Sequence, residues 1–509
     1  MKKELLDKEV LCILDTRQIQ RYMFRSNTFI DTLGGSDIMK HVLNDAIIYA
    51  IKNIDEPLSD DEYDLSIDPV AEIPYFSSER IKFQLIICSA GNALCIIRTG
   101  ALAQKLIRKI SRYYLDNGYS LNLTAAATQK TQDFGNDIFH LYKELNAIKA
   151  ASAISNPLGT LNVIQRENRT GEPIITKDSI IKDPISRSSE IRRNEARKRD
   201  VVVDMASIKK SHSLGKEYIA VLHADGNNLG MTIGRILQTT PSYEAGIRKR
   251  RMLNHNITTS YKRVMDQTMK DLEEVYHHLF PGEDDFDHSF VIIHQAGDDI
   301  NIMCRATLVF PFIDAFYRNL KSAVLWEEGD FKIPLYVCTG VAFVTPERSF
   351  HSAFKLAEDC CASAKSSAKK EENLRNGYAG NWIDFQICDN PHFLDLDMIR
   401  EESFVNDQKE SLLLRPYCFD QEEDGKDISY YRFIERAKNI KNMYLSKDER
   451  KSMGLSYMLG KQEIQKWIKT NGNRTGIDFE KQLGKPYIKT EDEGTRAVWF
   501  DPCQIADFL

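Results

Sequence analysis

FVIIHQAGDDINIMCR, residues 290–305, reads as two apolar strands folded about a tight turn, with Ala296-Gly297-Asp298-Asp299 at its centre. Two adjacent acids in such a turn repel each other, and a bound cation would remove that cost. About seventy residues upstream, YIAVLHADGNNLG (218–230) ends another apolar run in a second acid, Asp225. Strands that deliver carboxylates to neighbouring tips are suited to presenting divalent cations to a triphosphate. The two segments therefore predict an acidic site built on strand ends, with Asp225, Asp298 and Asp299 as its candidate metal ligands.

Composition narrows the alternatives. The chain has 509 residues, 42% of them hydrophobic, enough for packed cores rather than disorder. Acidic residues outnumber basic ones, 74 to 68, so the molecule as a whole is no polyanion coat and any nucleic-acid contact must be local. No apolar run reaches membrane-span length, and the opening MKKELLDKEV is too polar for a signal peptide. The ten cysteines form no C-x-x-C pair, and several, including Cys12, Cys88, Cys95 and Cys338, lie in apolar runs as small hydrophobes. A cytoplasmic protein without a disulfide framework or zinc knuckle is expected.

The N-terminal third echoes the middle third. LIICSAGNALCIIR (85–98) has the layout of residues 290–305, and VLCILDTRQIQ (10–20) precedes it as YIAVLHADGNN (218–228) precedes the second copy. A strand and a helix follow each: LNLTAAAT (121–128) with DIFHLYKELNAIKAA (137–151), and LYVCTGVAFV (335–344) with SFHSAFKLAEDCCASAKSSAKK (349–370). The order strand-helix-strand-strand-helix-strand is ferredoxin-like. The predicted fold is α+β, with two palm-like domains and a mainly helical C-terminal domain. Residues 1–155 form the first palm, 156–212 a polar linker region, 213–390 the second palm and 391–509 the helical part. Matching the glycines aligns Asp298-Asp299 with Asn92-Ala93, so the second copy alone keeps the acids. The charged run RSSEIRRNEARKRD (187–200) is expected as a linker or solvated helix. The cluster Arg248-Lys249-Arg250-Arg251 suits either RNA or nucleotide phosphates or an exposed helix face. Ser446 and Glu449 have capping-box spacing ahead of a helix.

These residues resemble the large, palm-containing subunit of type III CRISPR effector complexes, the CRISPR polymerase-cyclase family. The family's GGDD hairpin stands here as Ala296-Gly297-Asp298-Asp299, and its first metal-binding aspartate falls on Asp225. LDTRQIQRYMF (14–24), LGGSDIM (33–39), IDFQ (383–386) and LLLRPY (412–417) are similar to further family markers. The resemblance spans about residues 9–420. Three features depart from the family. The N-terminal HD nuclease is not expected, since the first palm strand starts near residue 9. The cysteine pairs found between family palms are missing around RTGEP (169–173). The usual second acid after the first metal aspartate is Asn227.

The resemblance implies a nucleotidyltransferase that makes cyclic or linear oligonucleotides, such as cyclic oligoadenylate, from ATP or another NTP as an antiviral second messenger. It implies a two-metal site of Mg²⁺ or Mn²⁺ held by Asp225, Asp298 and Asp299. Lys365 matches a family lysine that reaches the triphosphate. Gly226 and Gly297 let backbone approach phosphates, and Asn228 joins them in nucleotide binding. Gly34, Gly35 and Ser36 are expected to open the first palm's helix, a favourable place for an anion or second nucleotide. RNA or RNA-guided effector subunits are the implied partners. Two other classes remain open: a non-catalytic scaffold that binds RNA or nucleotide, and a metal-dependent phosphohydrolase. The latter would enlist His223 and His294, which read more simply as packed or hydrogen-bonded side chains.

Overall fold

The computed structural model describes all residues except 1, 27, 90, 118, 152–162, 200–206, 214, 371–372, 375–378, 390–394, 407, 409, 421–426, 444 and 490–493. The chain forms two compact units that are discontinuous in sequence. The first comprises Met1–Val202, Leu229–Lys262 and Val324–Ile333; the second comprises Val203–Asn228, Arg263–Ala323 and Pro334–Leu509.

In the first unit, strands β1 (Val10–Arg17), β2 (Tyr63–Asp64), β3 (Phe83–Ser89), β4 (Asn92–Ile97) and β5 (Asn122–Gln129) form one sheet in the order β2-β3-β4-β1-β5. With helices α1 (Ile19–Met23), α2 (Phe29–Asn53), α3 (Pro74–Ser77), α4 (Gly100–Asp116) and α5 (Phe134–Ala151), this is the expected palm. Alternation along β1 sends Val10, Cys12 and Leu14 into a core with Ile38, Val42 and Ala46 of α2 and Leu106 and Ile110 of α4. Helix α4 follows from its pattern: Ala103, Leu106, Ile110 and Tyr114 share one buried stripe, and the Thr99 side chain accepts from the Leu102 N–H at its start.

The interval expected as a linker is built structure where it is described, although its NPLG segment (156–159) lies outside the described residues. A hairpin, β6 (Ile174–Lys177) and β7 (Pro184–Ser186), leads into α6 (Arg187–Ala196). The charged run is not a solvated helix. Arg192 and Arg193 are buried, and Arg193 bonds Asp31 at 2.8 Å and Asp178 at 3.0 Å. Asp178 also accepts from the Ile180 and Ile181 N–H groups and from Arg197. Burial works against its charge, but these donors hold its carboxyl well below the usual range.

The first unit also takes in α7 (Leu229–Leu237) and the first part of α8 (Tyr243–Leu279). Here the basic cluster finds protein partners. Arg251 is buried and donates to the carbonyls of Ser66 and Leu85, while Arg248 donates to the Ala71 carbonyl and Lys249 lies over the Trp326 ring. Arg248 and Arg251 thus serve as internal ties.

The second unit repeats the palm. Strands β8 (Ser211–Ser213), β9 (Lys216–Gly226), β10 (Phe290–Ala296) and β11 (Asp299–Arg305) precede α9 (Val309–Leu320). In sequence, a hairpin that belongs to the first unit through Ile333, β12 (Val324–Glu328) and β13 (Phe331–Pro334), precedes β14 (Val337–Val344), α10 (Phe350–Ala368), β15 (Trp382–Cys388) and β16 (Tyr417–Cys418). The sheet order is β10-β11-β9-β14-β15-β16, with β8 paired to β9. Every residue of β14 is buried, as a central strand covered on both faces requires.

The C-terminal region is mainly helical. It carries α11 (Leu396–Ser403), α12 (Tyr430–Asn442), α13 (Lys447–Leu459), α14 (Lys461–Thr475), α15 (Phe479–Leu483) and α16 (Phe500–Ile505), with one small hairpin, β17 (Tyr487–Lys489) and β18 (Thr495–Ala497). Ser446 and Glu449 form the expected capping box. None of the ten cysteines, all among the described residues, forms a disulfide. Among the described residues no helix is long and apolar enough to cross a membrane.

The repeat extends to the ladders. Phe83↔Ile97 and Ser89↔Asn92 in the first hairpin correspond to Phe290↔Cys304 and Ala296↔Asp299 in the second, and both ladders shift register after Leu85 and Ile292 respectively. This corrects the glycine-based alignment. The residues standing where Asp298 and Asp299 stand are Gly91 and Asn92, not Asn92 and Ala93. On the neighbouring strands, Asp15 lies opposite Asn92, and Ala224 opposite Ile300, which brings Asp225 level with Asp299.

Candidate functional site

The site forms within the second unit, where β9 ends and the β10–β11 hairpin turns. Asp225 is the penultimate residue of β9. Gly297 and Asp298 are the two residues between β10 and β11, and Gly297 has φ 63°, which only glycine adopts without strain at the first position of such a turn. The hairpin lifts Asp298 beside Asp225. Its carboxyl is pushed up to about 7, first by burial and then by the charge of Asp225, with Asp299 adding to the effect and Lys365 opposing it. A carboxyl whose ionisation a neighbouring carboxylate disfavours marks a place for a cation.

Lys365 arrives from the other side of the strand pair. Its helix α10 presses directly on β14 at Gly340, where an added Cβ would lie 2.0 Å from the Ala357 carbonyl oxygen. That contact, with the Cys361 Sγ bonded to the Cys338 carbonyl at 3.2 Å, sets the helix so that the Lys365 ammonium pairs with the Asp225 carboxylate. Cys338 is itself the cross-strand partner of Asp225. Burial opposes the charge on Lys365, but the Asp225 charge and hydrogen bond outweigh it and raise its pKa.

Asp299 plays a different part. The Asn301 side-chain amide donates to it at 2.8 Å, and Asn301 in turn bonds His223 Nδ1 at 2.7 Å. His223 and His294 are buried, 3.6 and 4.0 Å from the two Asp299 oxygens. The histidines are packed beneath the site, as their strand positions suggested, and Asn301 is a supporting residue that the sequence did not single out. Its signal was the alternation that puts it on the face of Asp299.

Asn227 explains itself as a strut. It is buried, and its amide donates to the carbonyls of Ala379 at 2.7 Å and Gly380 at 3.0 Å. Its backbone N–H donates to Tyr336. Asn228 has φ 63°, a conformation asparagine tolerates better than most residues, and Gly226 closes β9.

Among the described residues no group of three or more histidine, cysteine or carboxylate side chains is arranged to enclose a metal ion. What the strands bring together is the pair Asp225 and Asp298. A pair fits Mg²⁺ or Mn²⁺, which are held by one or two carboxylates while substrate phosphates and water complete the shell. The raised Asp298 acid and the ammonium already drawn to Asp225 are the observations that favour such a cation.

The Gly34-Gly35-Ser36 trio does not open a helix. Helix α2 begins at Phe29, so the trio lies in its interior and is fully buried. A Cβ at Gly34 would lie 1.7 Å from the Arg192 carbonyl oxygen, and one at Gly35 3.2 Å from the Met23 Cα. Close packing against α6 and α1 accounts for both glycines.

Residues 218–374 match the family model described as Cas10/Cmr2, second palm domain. That stretch is similar to a Cas10-type second palm. The matched span contains Asp225, Asp298, Asp299 and Lys365. Among solved structures, the chain is similar to the Csm1-Csm4 cassette in complex with cA4, at 12% identity and TM-score 0.54, over 99% of this chain and 70% of that one. It is similar to Csm1 in T. onnurineus at 13% identity and TM-score 0.54, over 99% and 69%. At these identities the likeness speaks for the fold, and it extends beyond the second palm to nearly the whole chain. No curated protein matches the chain in sequence.

Proposed function

We propose that this protein is a metal-dependent nucleotidyltransferase whose second palm joins ATP or another NTP into cyclic or linear oligonucleotides for antiviral signalling. The observation that carries the reading is the juxtaposition of Asp225 at the end of β9 with Asp298 in the β10–β11 turn, where the charge of Asp225 helps to push the Asp298 carboxyl up to about 7. Asp225 and Asp298 are the residues that would hold Mg²⁺ or Mn²⁺, which when bound supplies a lowered pKa at the attacking 3′-hydroxyl and neutralises charge on the leaving pyrophosphate. Gly297 keeps the turn backbone clear of side chains next to the phosphates. Lys365 offers its ammonium to the triphosphate, and Asp299, fixed by Asn301, orients the hairpin. Structures similar to this chain are cassettes in complex with cA4, cA3 and pppApA, which supports adenylate as the product class. Their Csm4 component supports a partner subunit of that kind.

The test is product analysis. The full chain, with each NTP and Mg²⁺ or Mn²⁺, is followed by mass spectrometry. Phosphodiester-linked product that disappears in Asp298→Ala is expected. RNA binding without turnover would favour a scaffold, and free phosphate without coupling would favour hydrolysis.

A further inference from the structure

We infer that Lys365 is a counter-ion shared in time between Asp225 and the nucleotide, so that the triphosphate, by drawing the ammonium away, is what opens Asp225 to a cation. The inference rests on the proposed metal-dependent reading of the site.

Three observations carry it. First, the ammonium already pairs with one carboxylate oxygen of Asp225, where its charge opposes a divalent ion at the same carboxylate, and the pair is partly withdrawn from water. Second, the helix cannot drift to relieve this. Gly340 lets α10 approach until Ala357 and Cys361 lie where a Cβ would stand, so only the Lys365 stem can move. A lysine stem, unlike a planar guanidinium fork, changes partner by rotamer alone. Third, the first palm holds the same pair without the second carboxylate. Lys149 of α5 bonds Asp15 at 2.7 Å, Asp15 being the β1 residue that corresponds to Asp225, while the hairpin opposite contributes Gly91 and Asn92. There one lysine meets one aspartate, with no second carboxylate in the turn beside them. In the second palm the same single ammonium faces Asp225 and Asp298 together, so it and a divalent ion compete for the same pair of carboxylates.

Cation and nucleotide binding to the second palm are then mutually reinforcing, each lowering the dissociation constant of the other by the same factor. The experiment is a Mn²⁺ titration of the full chain without nucleotide, read from the electron paramagnetic resonance of free Mn²⁺. Lys365→Met and Lys365→Gln are each expected to bind Mn²⁺ roughly tenfold or more tightly than the unaltered protein, the scale of one removed like-charge contact at a half-buried site. Lys365→Arg, which keeps the charge on Asp225, is expected to stay at the unaltered affinity. Circular dichroism verifies folding of each variant, and two neutral replacements guard against one failing to fold. Equal or weaker binding in both folded neutral variants overturns the inference. A separate control isolates the reading beneath it. If Asp225→Asn added to Lys365→Met leaves the tighter binding intact, Asp225 is not a ligand and the metal-site assignment falls with it.

Discussion

In the first palm Asp15 meets Lys149 at 2.7 Å, and the hairpin beside it offers Gly91 and Asn92. In the second, Asp225 meets Lys365, and the hairpin offers Asp298 and Asp299. Strand order, ladder register and the shift in the second strand agree between the two. The difference is two carboxylates, Asp298 in the turn and Asp299 at the start of the next strand, against Gly91 and Asn92. Packing reinforces it. A Cβ at Gly91 would lie 2.9 Å from Ile19 Cδ1, 3.1 Å from Met39 Cε and 3.3 Å from Thr16 Cβ, at φ 86°. The space that Asp298 uses in one palm is filled by apolar side chains in the other. The two copies share the scaffold, and only the second keeps the paired acids.

The largest expected effect breaks the comparison at its charges. Asp225→Asn or Asp298→Asn is expected to lower the rate of product formation by about a thousandfold or more, the scale of removing a preorganised electrostatic contact from a reacting centre. Asp15→Asn and Asn92→Ala, in the same mass-spectrometric assay, are expected to leave it within about threefold. Equal losses from both palms would mean that the sites act as one.

A second contrast lies in how the helices approach the sheets. Gly340 has Ala126 as its counterpart, since Gly340 pairs with His223 and Ala126 with Ile13 at matching ladder positions. Gly340→Ala is expected to cost roughly 1–3 kcal/mol in urea unfolding and to displace Lys365, because the Ala357 carbonyl and Cys361 amide cannot both yield. Ala126→Gly should cost about 1 kcal/mol or less, chiefly in backbone entropy.

Much of this was legible in the sequence because strands of alternating and continuous apolar residues repeat in the same order twice. The acids of the second hairpin were legible for the same reason, standing where a stable turn would avoid them. The register between the copies was not. Glycine satisfies either central position of a two-residue turn, so Gly91 and Gly297 look equivalent although the ladders place them one residue apart. The Gly34-Gly35 pair misled in another way. A helix start and a helix crossing both favour glycine, and only the position of Arg192, 157 residues onward in a run that reads as solvated, distinguishes them. Lys149 went unnoticed because a helix lysine carries no local mark of its partner.

The smallest expected effect is on stability. The Asp298 acid holds its proton below about pH 7 in the folded protein, so its cost to the fold appears as pH rises from the ordinary carboxylate range through about 7. Without divalent cations, Asp298→Asn is therefore expected to raise the melting temperature at pH 8 by roughly 2–4 °C, and to have little effect at pH 4. Solvent screening at the half-buried turn keeps this well below the full linkage value. Calorimetry in EDTA at both pH values checks the sign.

The central claim is that Asp225 and Asp298 share a cation site and Asp15 does not. Anomalous diffraction from crystals of the full chain grown with Mn²⁺ and a non-reactive ATP analogue tests it most directly. The account predicts manganese density between the carboxylates of Asp225 and Asp298, with Lys365 turned to the phosphates and none at Asp15. Manganese at Asp15, or an analogue bound in the second palm with Lys365 still on Asp225 and no metal beside it, would contradict it.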